Sequence, residues 1–275
     1  MERMKSLLSQ WNEAQAGTKS LDKDFLLASA KRQLEGLNRE QGYLNLSDGY
    51  NCDKCLNRGF SYVLNGLSIA RASCSCQKPR KTLRRMIESG LQDVIRKYTF
   101  DAYIPDEPWQ KEVKNAALQY SKSPTDRWFF IGGQSGSGKS HICTAICREL
   151  LRSYEVRYML WEEESVYLKS VKMDSDLYQP RIQALHKAEI LYVDDFLGRK
   201  NGDREPTDAD IDFAREFMNH RHLSHRPTII SSEWFSTEIF SLDQGLGGRI
   251  IENSPGFVFN IARDLTNNHR LKGTT

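Results

Sequence analysis

IGGQSGSGKSH, residues 131–141, sets four glycines and three serines around a single lysine. Within it, Gly133 to Ser140 fits G-x-x-x-x-G-K-[ST], a loop whose backbone N–H groups surround a polyphosphate when side chains keep clear. Gly133, Gly136 and Gly138 are expected to supply that room, with Ser137 and His141 completing the set of loop residues near the nucleotide. The flanks decide between a phosphate loop and a glycine-rich turn without ligand. Trp128-Phe129-Phe130-Ile131 reads as a short buried strand, and Ile142, Ala145, Ile146 and Leu150 recur at helical spacing, so the loop joins a strand to a helix N-terminus. Lys139 is then expected to reach the β- and γ-phosphates of ATP, and the Ser140 hydroxyl to ligate Mg²⁺.

Downstream, VRYMLW reads as a second strand and ILYVDDF (190–196) as a third that ends in two acids. An apolar run followed by a carboxylate pair is a Walker B arrangement, with Asp194 holding Mg²⁺ and Asp195 polarising the attacking water. RPTIISSE (226–233) and GFVFNI (256–261) supply a fourth and a fifth strand. Strands alternating with helices imply an α/β fold with a mostly parallel sheet and ligands at the strands' carboxyl ends. The fourth strand is thereby expected to deliver Ser231, Ser232 and Glu233 toward the phosphates, with Ser232 among the nucleotide contacts.

Hydrophobic content of 39% and charged content of 27% fit a globular chain. No run approaches the ~18 apolar residues of a membrane helix, and MERMKSLLSQWNE lacks a signal-peptide core, so a cytoplasmic location without membrane partners is expected. Charge is uneven: residues 1–100 hold 17 Lys/Arg against 10 Asp/Glu, and the remainder 22 against 26. The densest basic run is QKPRKTLRR, residues 77–85. Residues 1–45 read as polar helices, with Leu7, Leu8 and Trp11 on one face and Phe25, Leu26, Leu27, Leu34 and Leu37 on another; docking on the chain and waiting for a partner both stay open.

Cys52 and Cys55 form a C-x-x-C pair, and Cys74 and Cys76 a C-x-C pair. The stretch between them reads as two strands around Asn65-Gly66, a hairpin that brings the pairs together. Four thiolates are the set that tetrahedral Zn²⁺ takes in closed structural sites; two disulfides or four free thiols are the alternatives, and a reducing compartment disfavours the first. Cys143 and Cys147, four apart on the P-loop helix, are explained by packing.

The order of strand, P-loop, Walker B, polar-ended fourth strand and LDQGLGGRI resembles the AAA+ ATPases, and within them the bacterial and phage helicase loaders of the DnaC and DnaI type. The resemblance extends to the lead-in YTFDAYIPDEPWQKEVKNAALQY (98–120), the doubled acid of VDDF, and TIISSE followed by GGRI, and covers about residues 50 to 270. It implies an N-terminal helicase-binding region, 1–97, with the zinc site at about 50–77, and an AAA+ ATPase domain, 98–275. It implies that Arg249 of GGRI is an arginine finger acting on a neighbouring subunit's ATP, hence self-association into a ring or spiral; a salt-bridged surface arginine is the alternative. Glu233 departs from the family's Asn at the γ-phosphate sensor and is expected to pair with a cation, and Arg263 and Arg270 both stand as second-sensor candidates.

In such loaders a helical element between the second and third strands touches single-stranded DNA. Here Tyr167, Lys169 and Lys172 offer a stacking ring and two phosphate contacts, against an amphipathic helix that buries Val166, Tyr167 and Val171. The implied activity is ATP-dependent loading of a hexameric replicative DNA helicase onto single-stranded DNA. A transposition helper ATPase of the IstB type, and a zinc nucleic-acid-binding module with a vestigial ATPase, are the alternatives.

Overall fold

The computed structural model describes residues 23–86, 92–198 and 205–267, and the chain divides into two compact units, 1–77 and 78–275. Leu7, Leu8, Trp11 and Arg270 lie outside the described residues.

The first unit opens with helix α1 (23–39), followed by α2 (Leu44–Asp48) and a hairpin of β1 (Phe60–Asn65) and β2 (Ser68–Ser73). The strands pair antiparallel with Asn65 opposite Ser68, so the turn is Gly66-Leu67, one residue beyond the expected Asn65-Gly66. Asn38, at the end of α1, takes the place of a third strand: its side chain accepts from Tyr62 N and donates to Tyr62 O, 2.9 Å each. Arg58 caps the same helix end by donating to the Leu37 and Asn38 carbonyls, where the helix dipole is negative. Phe25 and Leu26 stay exposed, so neither belongs to a core within the described unit.

The second unit begins with α3 (Gln77–Met86), α4 (Gln92–Lys97) and α5 (Pro108–Lys122). A five-stranded sheet follows: β3 (Trp128–Gly133), β4 (Val156–Leu160), β5 (Ile190–Asp194), β6 (Thr228–Ser232) and β7 (Val258–Ile261). Helices α6 (Lys139–Leu150), α7 (Trp161–Ser170), α8 (Ser175–His186), α9 (Asp208–Leu223), α10 (Ser236–Leu242) and α11 (Gln244–Asn253) make the connections. All pairings are parallel and the order is β4-β5-β6-β3-β7. The three inner strands are buried at every residue, which is why they read as unbroken apolar runs. Among the described residues no helix is long and apolar enough to cross a membrane.

The expected division at 97/98 lies well inside the second unit. Lys78 of α3 pairs with Glu189 at 2.7 Å, and Arg148 of α6 donates to the Ile95 carbonyl of α4 at 2.9 Å, so both helices fold with the sheet. A capping box starts α5, with Pro108 at its first turn and Gln110 Oε1 accepting from Glu107 N at 2.9 Å.

Arg221 of α9 is fully buried and has no carboxylate within the contacts that hold it. Its guanidinium donates to the carbonyls of Leu185, His186, Ala188 and Pro227 and to Thr228 Oγ1. Two of these belong to the last turn of α8, whose dipole favours a cation. Burial pulls its pKa down to about 9, so it stays charged at neutral pH. The one side chain thus ties α8, the entry to β5 and the entry to β6 together. Replacing it leaves several buried acceptors unpaired. Arg221→Ala is expected to cost about 3 kcal/mol in urea unfolding, and Arg221→Lys to recover part of it; a cost under about 1 kcal/mol would show that water replaces the guanidinium.

Candidate nucleotide site and cysteine centre

The sheet order puts β6 between the P-loop strand β3 and the acid-ended strand β5, with Ile131 opposite Ser231, Gly132 opposite Ser232 and Val193 opposite Ile230. The carboxyl ends of all three strands therefore meet at one edge. There a cleft of about 630 Å³ is lined by Lys139, Ser140, His141, Asp195, Glu233 and the lead-in residue Tyr103, among others.

Two glycines shape the loop, for different reasons. Gly133 has φ 115°, and a Cβ there would stand 2.1 Å from the Ile261 carbonyl, so its smallness serves the approach of β7 where the sequence reading expects room for phosphate. Gly138 has φ 88° and caps α6, with Tyr103 3.2 Å from where its Cβ would be. Gly136 lines the cleft. Ser137 is buried and its hydroxyl donates to the Gln134 carbonyl at 2.7 Å, closing the loop on itself.

Lys139 is 6% exposed, and its ammonium donates to the Gly133 and Gln134 carbonyls at 2.9 and 2.8 Å. Burial lowers its pKa, against the opposing pull of Glu233, Asp195 and Asp194. Ser140 Oγ donates to Asp194 Oδ1 at 3.1 Å, so the two groups expected to share Mg²⁺ stand side by side. The hydroxyl and the carboxylate fit a hard divalent cation with oxygen ligands, and the helix N-terminus fits an anionic phosphate. Asp194 also accepts from Ser231, from Tyr192 at 2.6 Å and from Tyr158 at 3.2 Å. Asp195 is exposed at φ 52°, and its N–H donates to Ser231 Oγ at 3.2 Å.

Ser232 departs from expectation. It is fully buried, donates to the Phe196 carbonyl at 2.6 Å and accepts from Trp234 N at 3.0 Å, on the side of the strand opposite Ser231. His141 stacks on Tyr98 (4.5 Å, 12°), meets Tyr103 edge-on and is bonded to the Thr99 carbonyl at 2.9 Å. It thus pins the lead-in segment across the loop. Burial pushes the Tyr103 phenol up to about 12. The aromatic lead-in residues and the tyrosines on Asp194 escape motif reading, although Tyr192 stands two residues before Asp194 and so on the same strand face.

Arg249 lies on α11, outside the residues that line the cleft, and its Nη1 is buried without a hydrogen-bond partner among the described residues. Arg263 makes a bidentate pair with Glu238, sits 4.3 Å over the Phe235 ring and donates to the Glu233 carbonyl at 3.0 Å. On α7 the buried face is Trp161, Ser165 and Leu168, while Val166 and Tyr167 are exposed, so the amphipathic alternative misplaces its core. Both lysines have partners on α9: Lys169 pairs with Asp210, and Lys172 with Glu216 at 3.6 Å.

In the first unit the four sulfurs of Cys52, Cys55, Cys74 and Cys76 lie within 4.8 Å of one another, with Cys52–Cys74 at 3.8 Å and Cys55–Cys76 at 3.5 Å. A tetrahedron with ~2.3 Å metal–sulfur bonds has edges of ~3.8 Å, so the set fits one zinc ion. A main-chain donor and a side-chain acceptor hold the set in place: Gly59 N–H points at Cys55 Sγ (3.2 Å), and Asn57 Oδ1 accepts from Cys52 N–H (2.8 Å). Burial raises the Cys55 thiol, but the Gly59 N–H and the other three thiols bring it down to about 7. Cys143 and Cys147 are fully buried and their thiols are pushed well up by burial, as packing residues are.

A family model described as Novel STAND NTPase 3 matches residues 113–240, which include both the P-loop and the acid pair. The chain is 30% identical over 207 residues to the uncharacterized protein YqaM of Bacillus subtilis (72% of this chain, 66% of that one). It is 29% identical over 238 residues to the phage-like element PBSX protein XkdC of the same organism (82% and 87%). The solved structure of the DnaC helicase loader superposes with a TM-score of 0.53 at 16% identity, over 61% of this chain and 98% of that one. At that identity the likeness is one of fold. Residues 113–240 are thus similar to a family of NTPases, and the chain carries the α/β fold that the DnaC helicase loader also has.

Proposed function

We propose that the chain is an ATP-dependent loader of a replicative DNA helicase, with ATP acting as an assembly and release switch. The observation that carries the reading is the complete nucleotide cleft, Lys139, Ser140, Asp194 and Asp195 at one sheet edge, on the fold that a helicase loader also has. An intact cleft of this kind argues against a vestigial ATPase.

In this reading the loop amides and Lys139 bind the triphosphate, and Ser140 and Asp194 hold Mg²⁺, which neutralises charge on the β- and γ-phosphates. Lys139 must leave the Gly133 and Gln134 carbonyls to reach the phosphates. Asp195 orients the attacking water, a role its exposed side chain supports. Arg249 reaches the site of a neighbouring copy and completes it, which makes hydrolysis depend on a ring or spiral. Single-stranded DNA meets α7 at the exposed Tyr167; a phosphate contact by Lys169 or Lys172 requires exchange of Asp210 or Glu216 for the strand.

The first unit grips the helicase, and its cysteines hold structural zinc. The four thiolates leave no open position, so the metal organises the hairpin and performs no chemistry.

Three outcomes are expected. Mass photometry of the chain with its host's replicative helicase should show a defined complex whose stoichiometry differs between ATP, ADP and Lys139→Ala; no complex in any state overturns the reading and favours the transposition helper. Arg249→Ala should retain ATP binding but lose about a thousandfold in phosphate release, and an unchanged rate would return this arginine to the surface. Metal analysis by mass spectrometry should give about one zinc per chain, with Cys55→Ser or a strong chelator melting the hairpin unit in a far-ultraviolet dichroism scan; a metal-free chain with the same melt rejects the zinc site.

A further inference from the structure

Asp194 carries more donors than a magnesium ligand needs. Ser140, Ser231 and Tyr192 converge on Oδ1, and Tyr158 alone approaches Oδ2. The two tyrosines come from adjacent strands. Tyr192 precedes Asp194 by two positions on β5, and Tyr158 is its register partner on β4, so both rings face the carboxylate, 5.4 Å apart and near edge-on.

We infer that Tyr192 and Tyr158 are positioning residues that fix the rotation of the Asp194 carboxylate and aim it at Ser140, setting the affinity of the magnesium site. The inference rests on the nucleotide reading above. A packing role alone would be filled by phenylalanine, since a phenol in a buried site carries a desolvation cost unless it finds an acceptor. Tyr192 is fully buried, and its hydroxyl bond of 2.6 Å is among the shorter made to Asp194. Bonds to both carboxylate oxygens stop the group from turning, which one bond would not do. The strand supplies Tyr192 and the neighbouring strand supplies Tyr158, so the aim of Asp194 is built into the sheet before any ligand arrives.

Binding of a fluorescent ATP analogue to the full chain, titrated with MgCl₂, tests this. The native protein is compared with Tyr192→Phe, Tyr158→Phe and the double variant, each also measured in EDTA. Partners of this kind typically change metal affinity by about 10- to 100-fold. The Mg²⁺ midpoint should therefore rise about tenfold or more in Tyr192→Phe, less in Tyr158→Phe and most in the double variant, while affinity in EDTA stays unchanged. Dichroism melts report folding; should Tyr192→Phe fail to fold, Tyr158→Phe, on the half-buried outer strand, carries the comparison. A native midpoint in the folded variants overturns the inference. Failure of the native protein to bind the analogue, with Lys139→Ala indistinguishable from it, overturns the nucleotide reading and this inference with it.

Discussion

A carboxylate that is 6% exposed at the end of a parallel sheet is the constraint around which the second unit is arranged. A buried carboxylate needs hydrogen-bond donors, and the chain brings them to Asp194 from four places: the P-loop helix (Ser140), β6 (Ser231), β5 itself (Tyr192) and β4 (Tyr158). Satisfying one buried charge therefore fixes the relative register of three strands and the start of α6. The insertion of β6 between β3 and β5 follows the same need, because Ser231 reaches both Asp194 and the Asp195 N–H only from the middle position.

The parts of this arrangement that could be read from the chain are those set by local rules. The P-loop spacing, the buried runs that became β3, β5 and β6, and the two cysteine pairs around a hairpin turn each depend on residues within a short window. What could not be read depends on which way a side chain turns or on what approaches from far along the chain. Ser231 and Ser232 are adjacent on a strand and must face opposite sides; the sequence does not say which one faces the acids, and the structure turns Ser231 to Asp194 and Ser232 to the Phe196 carbonyl. Lys169 and Lys172 look like free cations until α9 brings Asp210 and Glu216 alongside. Gly133 looks like a phosphate glycine, yet β7 claims its space.

The two units use different chemistry for the same problem of scale. Among its described residues the first has a short hairpin and few buried apolar side chains apart from its cysteines. Four convergent thiols, with the Asn57 side chain and the Gly59 N–H oriented on them, are what give it a centre. The second has aromatic and aliphatic packing to spare, and there the buried guanidinium of Arg221 is tolerated because carbonyl dipoles surround it on several sides.

The charge in the nucleotide cleft bears on the proposed assembly. Lys139 is its one lysine or arginine among the lining residues, set against Asp195 and Glu233 in the lining and Asp194 beneath it. A nucleoside triphosphate adds several negative charges to a site already negative in sum, and the N-terminus of α6 supplies only about half a positive charge. Arg263, beside Glu233, is already bonded to Glu238 and to the Glu233 carbonyl. In the proposed reading the balance comes from outside the chain: a divalent cation on Ser140 and Asp194, and a further positive group on the open side where Asp195 and Glu233 lie. On that reading the cleft holds triphosphate most firmly when a second molecule closes it, and loosens when hydrolysis removes the charge that called for closure.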